Sequence, residues 1–237
     1  MNNKLILIIL MLNSFGLFSQ PIEEVAPLQQ QNIDTEEKLK TKLGIKFALG
    51  THTFYGTELK NTKLLYGFGA GIYNIIPISK SKKIQLHWEF DITFKGSKFG
   101  HPNDTSYSRI SLSYAEIPLY LSIQLANTPK KQPLHLLLGV QGGVLYKSSI
   151  SQGYGKWGEI KYNSLPFYKL DFMPAIGLRK EIGSGMSLQT TTKIGLVNIN
   201  TSKLTSGSVG TRYPDIVPPM TGKGTIKNFS FELALLF

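Results

Sequence analysis

Apolar and polar residues alternate along eight runs of this chain, and no other feature of the sequence limits the fold as strongly. The run 84–95 is the clearest, because its six apolar residues, beginning with Ile84 and Leu86, alternate with polar ones without a break. Successive side chains of a β-strand point to opposite faces, so each run predicts a strand with one apolar and one polar face. The predicted strands are 43–51, 66–76, 84–95, 115–125, 134–146, 168–178, 186–196 and 226–237.

The connections between these runs alternate in length. The long ones are 53–65, 96–114, 147–167 and 197–225, and the short ones are 77–83, 126–133 and 180–185. Outer-membrane barrels have short periplasmic turns and longer external loops, and a tilted strand crosses the bilayer with about 9–11 residues. The pattern predicts an all-β fold, an eight-stranded antiparallel up-and-down transmembrane β-barrel with both termini in the periplasm. A soluble lipocalin-like barrel would instead carry its apolar faces inside.

The first 19 residues are organised like a secretory signal peptide. Lys4 precedes an apolar stretch at 5–12, and small residues lie near Ser19. The apolar stretch is well short of the ~20 residues that a spanning helix needs. We therefore expect a signal peptide at 1–19, a flexible periplasmic lead at 20–41 and an outer-membrane barrel domain at 42–237.

The charge and the cysteine count narrow the possible functions. The chain has 237 residues, a net charge of +11 and no cysteine, so disulfide scaffolds and thiol catalysis are excluded. An exported chain does not routinely meet nucleic acid, so we expect the positive charge to face phosphate-rich outer-membrane lipids, including lipopolysaccharide. The four histidines have no metal-ligand spacing, and we expect no metal and no cofactor.

Ten charged residues, five of each sign, fall on the polar faces of the predicted strands. They are Lys46, Glu89, Asp91, Lys95, Glu116, Lys169, Asp171, Arg179, Lys193 and Glu232. An eight-stranded barrel is only wide enough for its side chains to fill, so the pattern predicts a buried ion-pair network in the lumen. The alternative is a narrow pore in which these charges form an ion path.

The last strand ends the chain on an aromatic residue. Its apolar face is formed by Phe229, Phe231, Leu233, Leu235 and Phe237. This ending resembles that of outer-membrane barrels of diderm bacteria, which the barrel-assembly machinery recognises during insertion. The resemblance implies that these five residues form a C-terminal insertion signal.

Four segments carry a more specific resemblance. They read YAEIPLYLSIQL at 114–125, LLLGVQGGVLY at 136–146, LDFMPAIGLRKEI at 170–182 and LQTTTKIGLVNI at 188–199. Together they resemble the PorT-like outer-membrane β-barrel family of Bacteroidota, whose name comes from a member tied to type IX secretion and gliding. The resemblance implies a non-enzymatic structural or partner-binding barrel at the cell envelope, with an envelope protein as a possible partner.

The predicted external connections leave other readings open. His101 with Asp104 or Ser106 could supply an oriented imidazole base, as a lipid A-modifying barrel enzyme would need. Aromatic residues such as Tyr154 and Trp157 could bind a lipid or a partner, whereas Tyr146 and Tyr168 are typical of the belt at a membrane boundary.

Three features put local irregularities into the predicted strands. Pro118 and Pro174 lie inside runs, where proline removes a ladder hydrogen bond and predicts a bulge. Ile110, Leu112 and Tyr114 alternate out of phase with the apolar residues that follow. We therefore expect the fourth strand to continue above the membrane after a bulge.

Overall fold

The chain folds into antiparallel β-strands that close on themselves. The computed structural model describes residues 41–57, 62–100, 106–126, 132–154, 159–163, 167–183, 185–201 and 224–237. The predicted signal peptide, the lead up to residue 40, His101, Asp104 and Trp157 lie outside these residues. No helix in the described ranges is long and apolar enough to cross a membrane.

Eight long strands and two short ones make up the sheet. They are Lys42–Tyr55 (β1), Thr62–Lys63 (β2), Leu65–Pro77 (β3), Ile84–Gly100 (β4), Ser106–Ala126 (β5), Leu134–Tyr154 (β6), Glu159–Asn163 (β7), Leu170–Glu181 (β8), Ser187–Ile194 (β9) and Lys227–Leu236 (β10). Each long strand pairs antiparallel with the next long strand along the chain, and β10 returns to pair with β1. The predicted eight-stranded antiparallel barrel is confirmed.

The two faces of the wall follow the alternation in the sequence. On β1, Phe47 and Leu49 are exposed on the outside, whereas Lys46 and Ala48 are buried inside. Exposed apolar side chains recur on the outer faces of the long strands. On β9 the outward positions include Thr190 and Thr192, and Ile194 is the exposed apolar residue. A water-soluble barrel would bury these side chains, so the apolar belt faces hydrocarbon and the barrel crosses a membrane.

The barrel is taller on one side than the other. β5 and β6 have 21 residues each, whereas β9 has eight. Three segments rise past the apolar belt: 95–100 of β4, 106–113 of β5 and 146–154 of β6. The short strand β2 pairs with β4, and β7 pairs with β6. We call this part of the sheet, including β2 and β7, the raised wall. Most of the predicted connections 96–114 and 147–167 are therefore strand rather than loop.

The expected bulges lie elsewhere than predicted. Pro118 pairs with Gln141 and Pro174 with Val140 in continuous register. Between β4 and β5 the pairing skips Pro118 and Ile117 and resumes in the same register at Glu116, because proline has no N–H to donate. The register shift nearest to the raised wall lies on β6, where Tyr146 is the extra residue between Leu145 and Lys147.

Candidate functional site

The middle of the barrel interior is filled by an ionic layer. Lys46 forms ion pairs with Glu89 and, at 2.6 Å, with Asp91. Lys95 pairs with Glu116, and Lys193 pairs with Glu232 at 2.7 Å. These side chains are at most 4% exposed, because each projects from the polar face of its strand into the lumen.

Arg179 is held by neutral groups. Its Nη2 donates hydrogen bonds to Gln85 Oε1 at 2.6 Å and to Ser122 Oγ at 3.3 Å, and its Nη1 lies 3.4 Å from His87 Nδ1. His87 Nε2 lies 3.1 Å from Glu89 Oε1 on its other side. This chain of contacts joins Arg179 to the ion pairs of Lys46.

Asp171 also takes a neutral partner. Its Oδ2 accepts a 2.5 Å hydrogen bond from Asn228 Nδ2, which also donates to the Tyr114 hydroxyl at 3.3 Å. Nine of the ten predicted lumen charges are thus buried in the interior, and they comprise five carboxylates and four cations.

Lys169 is a correction to the predicted set. It lies in a bend before β8 begins at Leu170, and its side chain is exposed. The inward and outward alternation holds only within a strand, so it does not apply to a residue that precedes the strand. Lys169 therefore contributes charge to the outer rim and not to the ionic layer.

A second, apolar layer fills the interior on the side of the raised wall. Its members are buried and come from four long strands and from the connections: Phe54, Phe99, Ile110, Leu112, Tyr114, Leu145, Ile150, Phe167, Ile199 and Ile226. Three of its members, Ile110, Leu112 and Tyr114, are the residues that alternate out of phase in the sequence, and they point inward like Glu116 on the same strand. Beyond the membrane the outside is water, so the apolar residues of a strand turn to the inside.

The two ends of the β9–β10 connection lie across this end of the barrel. Asn198 Oδ1 accepts hydrogen bonds from the backbone N–H groups of Asn200 at 3.1 Å and Ile226 at 2.8 Å. The N–H of Ile199 donates to the carbonyl of Ile226 at 2.8 Å. These bonds hold Ile199 and Ile226 fully buried above the ionic layer. Together with the other members of the apolar layer, they fill the described interior on this side of the ionic layer.

The C-terminal strand is fixed at the opposite end. Phe231, Leu233, Leu235 and Phe237 are exposed on the outer face, and Phe229 is half-buried. The N–H of Phe237 donates to the Ile45 carbonyl at 3.0 Å, and the Tyr73 hydroxyl donates to the Phe237 carbonyl at the same distance. Four of the five residues predicted as an insertion signal therefore lie along the outer face of β10, and the fifth, Phe237, directly follows the strand.

Charge is segregated between the inside and the outside of the barrel. Seven acidic residues lie in the described ranges: five project into the lumen, whereas Glu159 begins β7 in the raised wall and Glu181 ends β8. The described cations outside the lumen are Lys42, Lys63, Lys80, Lys82, Lys83, Lys98, Arg109, Lys147, Lys169, Lys180 and Lys227. Both rims of the described barrel are therefore basic. Exposed tyrosines, Tyr66, Tyr146 and Tyr168 among them, accompany the cations on the side of the raised wall.

Among known proteins, the chain is similar in fold to solved structures of bacterial surface proteins. No family model and no curated protein matches the chain. The crystal structure of Ail, the attachment invasion locus protein of Yersinia pestis, in complex with the heparin analogue sucrose octasulfate is 10% identical, with a TM-score of 0.40, over 84% of this chain and 98% of Ail. Neisserial surface protein A is 8% identical, with a TM-score of 0.43, over 83% of this chain and 97% of its own. At such values the likeness carries no functional argument.

Proposed function

We propose that this protein is a non-enzymatic outer-membrane β-barrel that serves as a structural or partner-binding component of the cell envelope. The observation that carries the proposal is the contrast between a filled interior and an extended outer wall. The ionic and apolar layers occupy the lumen, whereas the raised wall carries backbone well past the apolar belt. A barrel built in this way offers a surface for recognition and no route for solutes.

The proposed orientation has the raised wall outside the cell and both termini in the periplasm. Long extensions on one end and short turns on the other are the usual arrangement of outer-membrane barrels. The turn between β3 and β4 covers 78–83, whereas the raised wall lies at the opposite end of the strands. In this orientation the exposed face of β10 is available to the barrel-assembly machinery during insertion.

The resemblance to the PorT-like family of Bacteroidota suggests where a partner would belong. The EIPL segment at 116–119 lies on β5, with Glu116 in the ionic layer and Ile117 and Leu119 in the lipid-facing belt. These roles are those of a barrel wall and do not by themselves indicate a machine. We therefore propose an envelope protein as the partner, with a type IX secretion or gliding component as the first candidate.

Capture of partners from gently solubilised outer membranes tests the proposal. The tagged protein is compared with two variants, one with residues 101–105 replaced by Gly-Ser-Gly-Ser-Gly and one with residues 127–131 replaced in the same way. The two replaced segments have five residues each and lie in the connections from β4 to β5 and from β5 to β6, at opposite ends of the barrel. We expect a stoichiometric envelope protein with the wild type and the 127–131 variant, and its loss with the 101–105 variant.

An empty capture with the wild type, or equal capture by all three proteins, would contradict a partner-binding role of this end. The lipid A mass spectrum of cells that express the wild type provides a separate check on the absence of catalysis. We expect no mass change. A change that disappears with His101→Ala would replace the proposal by a lipid-modifying enzyme.

A further inference from the structure

We propose that the ionic layer contains a proton-binding site near neutral pH, with the proton on Asp91. Glu89 and Asp91 are two residues apart on β4, so both side chains point into the lumen. Both contact the same ammonium group, because Lys46 Nζ donates to Glu89 Oε2 and, at 2.6 Å, to Asp91 Oδ2. The three side chains are at most 2% exposed. We call these three residues the Lys46 triad.

The Lys46 triad has two carboxylates for one cation. Lys95 pairs with Glu116, and Lys193 pairs with Glu232 at 2.7 Å, so in the described interior each of these lysines has an ion pair with one carboxylate. Lys46 has ion pairs with two. Two buried carboxylates that share a site repel each other, and one ammonium compensates the charge of only one of them. A proton on the other carboxylate removes the excess charge.

Glu89 is surrounded by donors that favour its charged form. Besides Lys46, its partners are Gln189 Nε2, which donates to Oε1 at 2.8 Å, and His87 Nε2, which lies 3.1 Å from the same oxygen. The other ring nitrogen of His87, Nδ1, faces Arg179 Nη1 at 3.4 Å. A guanidinium has only donors, so His87 Nδ1 is the acceptor and Nε2 carries the hydrogen that points to Glu89.

Asp91 has a hydrogen-bond donor on one oxygen. Its Oδ2 accepts from Lys46, whereas its Oδ1 is buried and has no hydrogen-bond partner among the described residues. Gly71 is paired with Lys46 on one side and with Asp91 on the other, and a Cβ at Gly71 would lie 2.2 Å from Asp91 Oδ1. An ionised carboxylate with an unpaired oxygen is costly in a buried site, so the proton belongs on Asp91 rather than on Glu89.

The groups on the other strands do not replace this proton. Glu116 on β5 is paired directly with Asp91, which places a second acidic residue opposite it. Lys193 on β9 acts on Asp91 across the lumen but already has its own carboxylate partner. The titratable groups around the triad are His87 on β4, Glu116 and Tyr120 on β5, Arg179 on β8, Lys193 on β9 and Glu232 on β10.

The proton makes the stability of the barrel depend on pH. In an unfolded chain an aspartate is ionised above about pH 4. Over the range in which Asp91 keeps its proton, the folded barrel therefore binds one proton more than the unfolded chain. The free energy of unfolding then falls as the pH rises, until the folded barrel also loses the proton. Beyond that point two carboxylate charges share the ammonium of Lys46.

Infrared spectroscopy of the refolded mature barrel tests the site directly, through the C=O stretching band of a protonated carboxyl group. At about pH 6, where exposed carboxylates are ionised, we expect this band in the wild type and in Asp171→Asn, and its loss in Asp91→Asn. Glu89→Gln should also remove it, because Asp91 then has Lys46 to itself. Absence of the band in the wild type, or its persistence in Asp91→Asn or Glu89→Gln, would overturn the proposal.

Urea unfolding followed by tryptophan fluorescence provides the second readout, and different mobility of boiled and unboiled samples on a gel verifies that each barrel is folded. Glu232→Gln is the matched control, because it also turns a buried carboxylate beside a lysine into an amide. From about pH 5 to about pH 9 we expect the unfolding midpoint of the wild type to fall relative to that of Asp91→Asn. Glu232→Gln should be less stable than the wild type but keep its pH dependence. The same pH dependence in the wild type and in Asp91→Asn would overturn the proposal.

Discussion

Lys95 is the residue at which burial and charge compete most directly. Its ammonium pairs with Glu116 and lies 3.5 Å from Met173 Sδ and 5.5 Å from the centre of the Tyr114 ring. It therefore lies between the ionic and the apolar layers. Removal of one partner of a buried ion pair leaves an uncompensated charge, whereas replacement of both partners by apolar residues is often neutral.

We predict that Glu116→Leu lowers the stability of the barrel by about 3–5 kcal/mol, because Lys95 would remain buried without its carboxylate partner. Urea unfolding of the refolded barrel, followed by tryptophan fluorescence, measures the loss. The Lys95→Met/Glu116→Leu double variant should recover part of it, since the new methionine packs beside Met173. An unfolding midpoint of Glu116→Leu equal to that of the wild type would remove Glu116 from the ionic layer.

Two glycines of β6 differ in the space around them, so alanine substitutions at the two positions test whether a close approach of the neighbouring backbone requires glycine. A Cβ at Gly139 would lie 2.2 Å from the backbone carbonyl oxygen of Leu119 and 2.7 Å from Tyr120 Cδ1, whereas a Cβ at Gly142 would meet nothing within 4 Å. We predict that Gly139→Ala lowers the unfolding midpoint and that Gly142→Ala leaves it almost unchanged. Equal midpoints for the two variants would show that the backbone of β5 at Leu119 moves away from Gly139 without loss of stability.

At the scale of strands, the direction of the apolar face depends on what surrounds the strand. Along β5, Ile117 and Leu119 face lipid, whereas Ile110, Leu112 and Tyr114 face the interior. The backbone alternation is unbroken between these two groups, so the change of phase in the sequence marks the exit from the membrane. The sequence interpretation assigned the change to a bulge in this strand, because alternation alone does not reveal where hydrocarbon gives way to water.

The strands and their faces could be predicted because lipid outside and a filled polar lumen impose opposite demands on neighbouring residues. The composition of the apolar layer could not be predicted, because the layer brings together residues as distant in sequence as Phe54 and Ile226. The exposure of Lys169 could not be predicted either, because β8 begins at Leu170, two residues after the predicted start at 168, and alternation does not mark the exact start of a strand.

The bulge of β6 supplies a test at the same scale. Tyr146 is the extra residue opposite β5, and its removal would leave Leu145 facing inward and Lys147 outward in a regular ladder. We predict that deletion of Tyr146 leaves a folded barrel, which is visible as a mobility difference between boiled and unboiled samples on a gel. Deletion of Leu119 should abolish the folded band, because it shifts a regular register with both β4 and β6. Loss of the folded band on deletion of Tyr146 would contradict the role of the bulge as a local insertion.

At the scale of the whole molecule, the barrel presents three surfaces with different chemistry. The lumen holds five of the seven acidic residues in the described ranges, the belt is apolar, and cations predominate at both rims. Acidic residues paired inside the barrel leave its outer rims positive, which suits a protein between two anionic membrane surfaces. The same placement of acidic residues in the lumen thus stabilises the buried cations and leaves the rims with an excess of positive charge.

The central claim is that two layers of side chains seal the lumen, and single-channel recording from planar bilayers tests it most directly. The refolded mature chain is added to a bilayer, with a general porin recorded under the same conditions as a positive control. Because ion pairs such as Lys193 with Glu232 and the apolar layer around Ile199 fill the described interior, we predict a flat baseline for this protein and discrete steps for the porin. Reproducible discrete steps from the folded barrel would contradict the sealed lumen and make the protein a narrow pore.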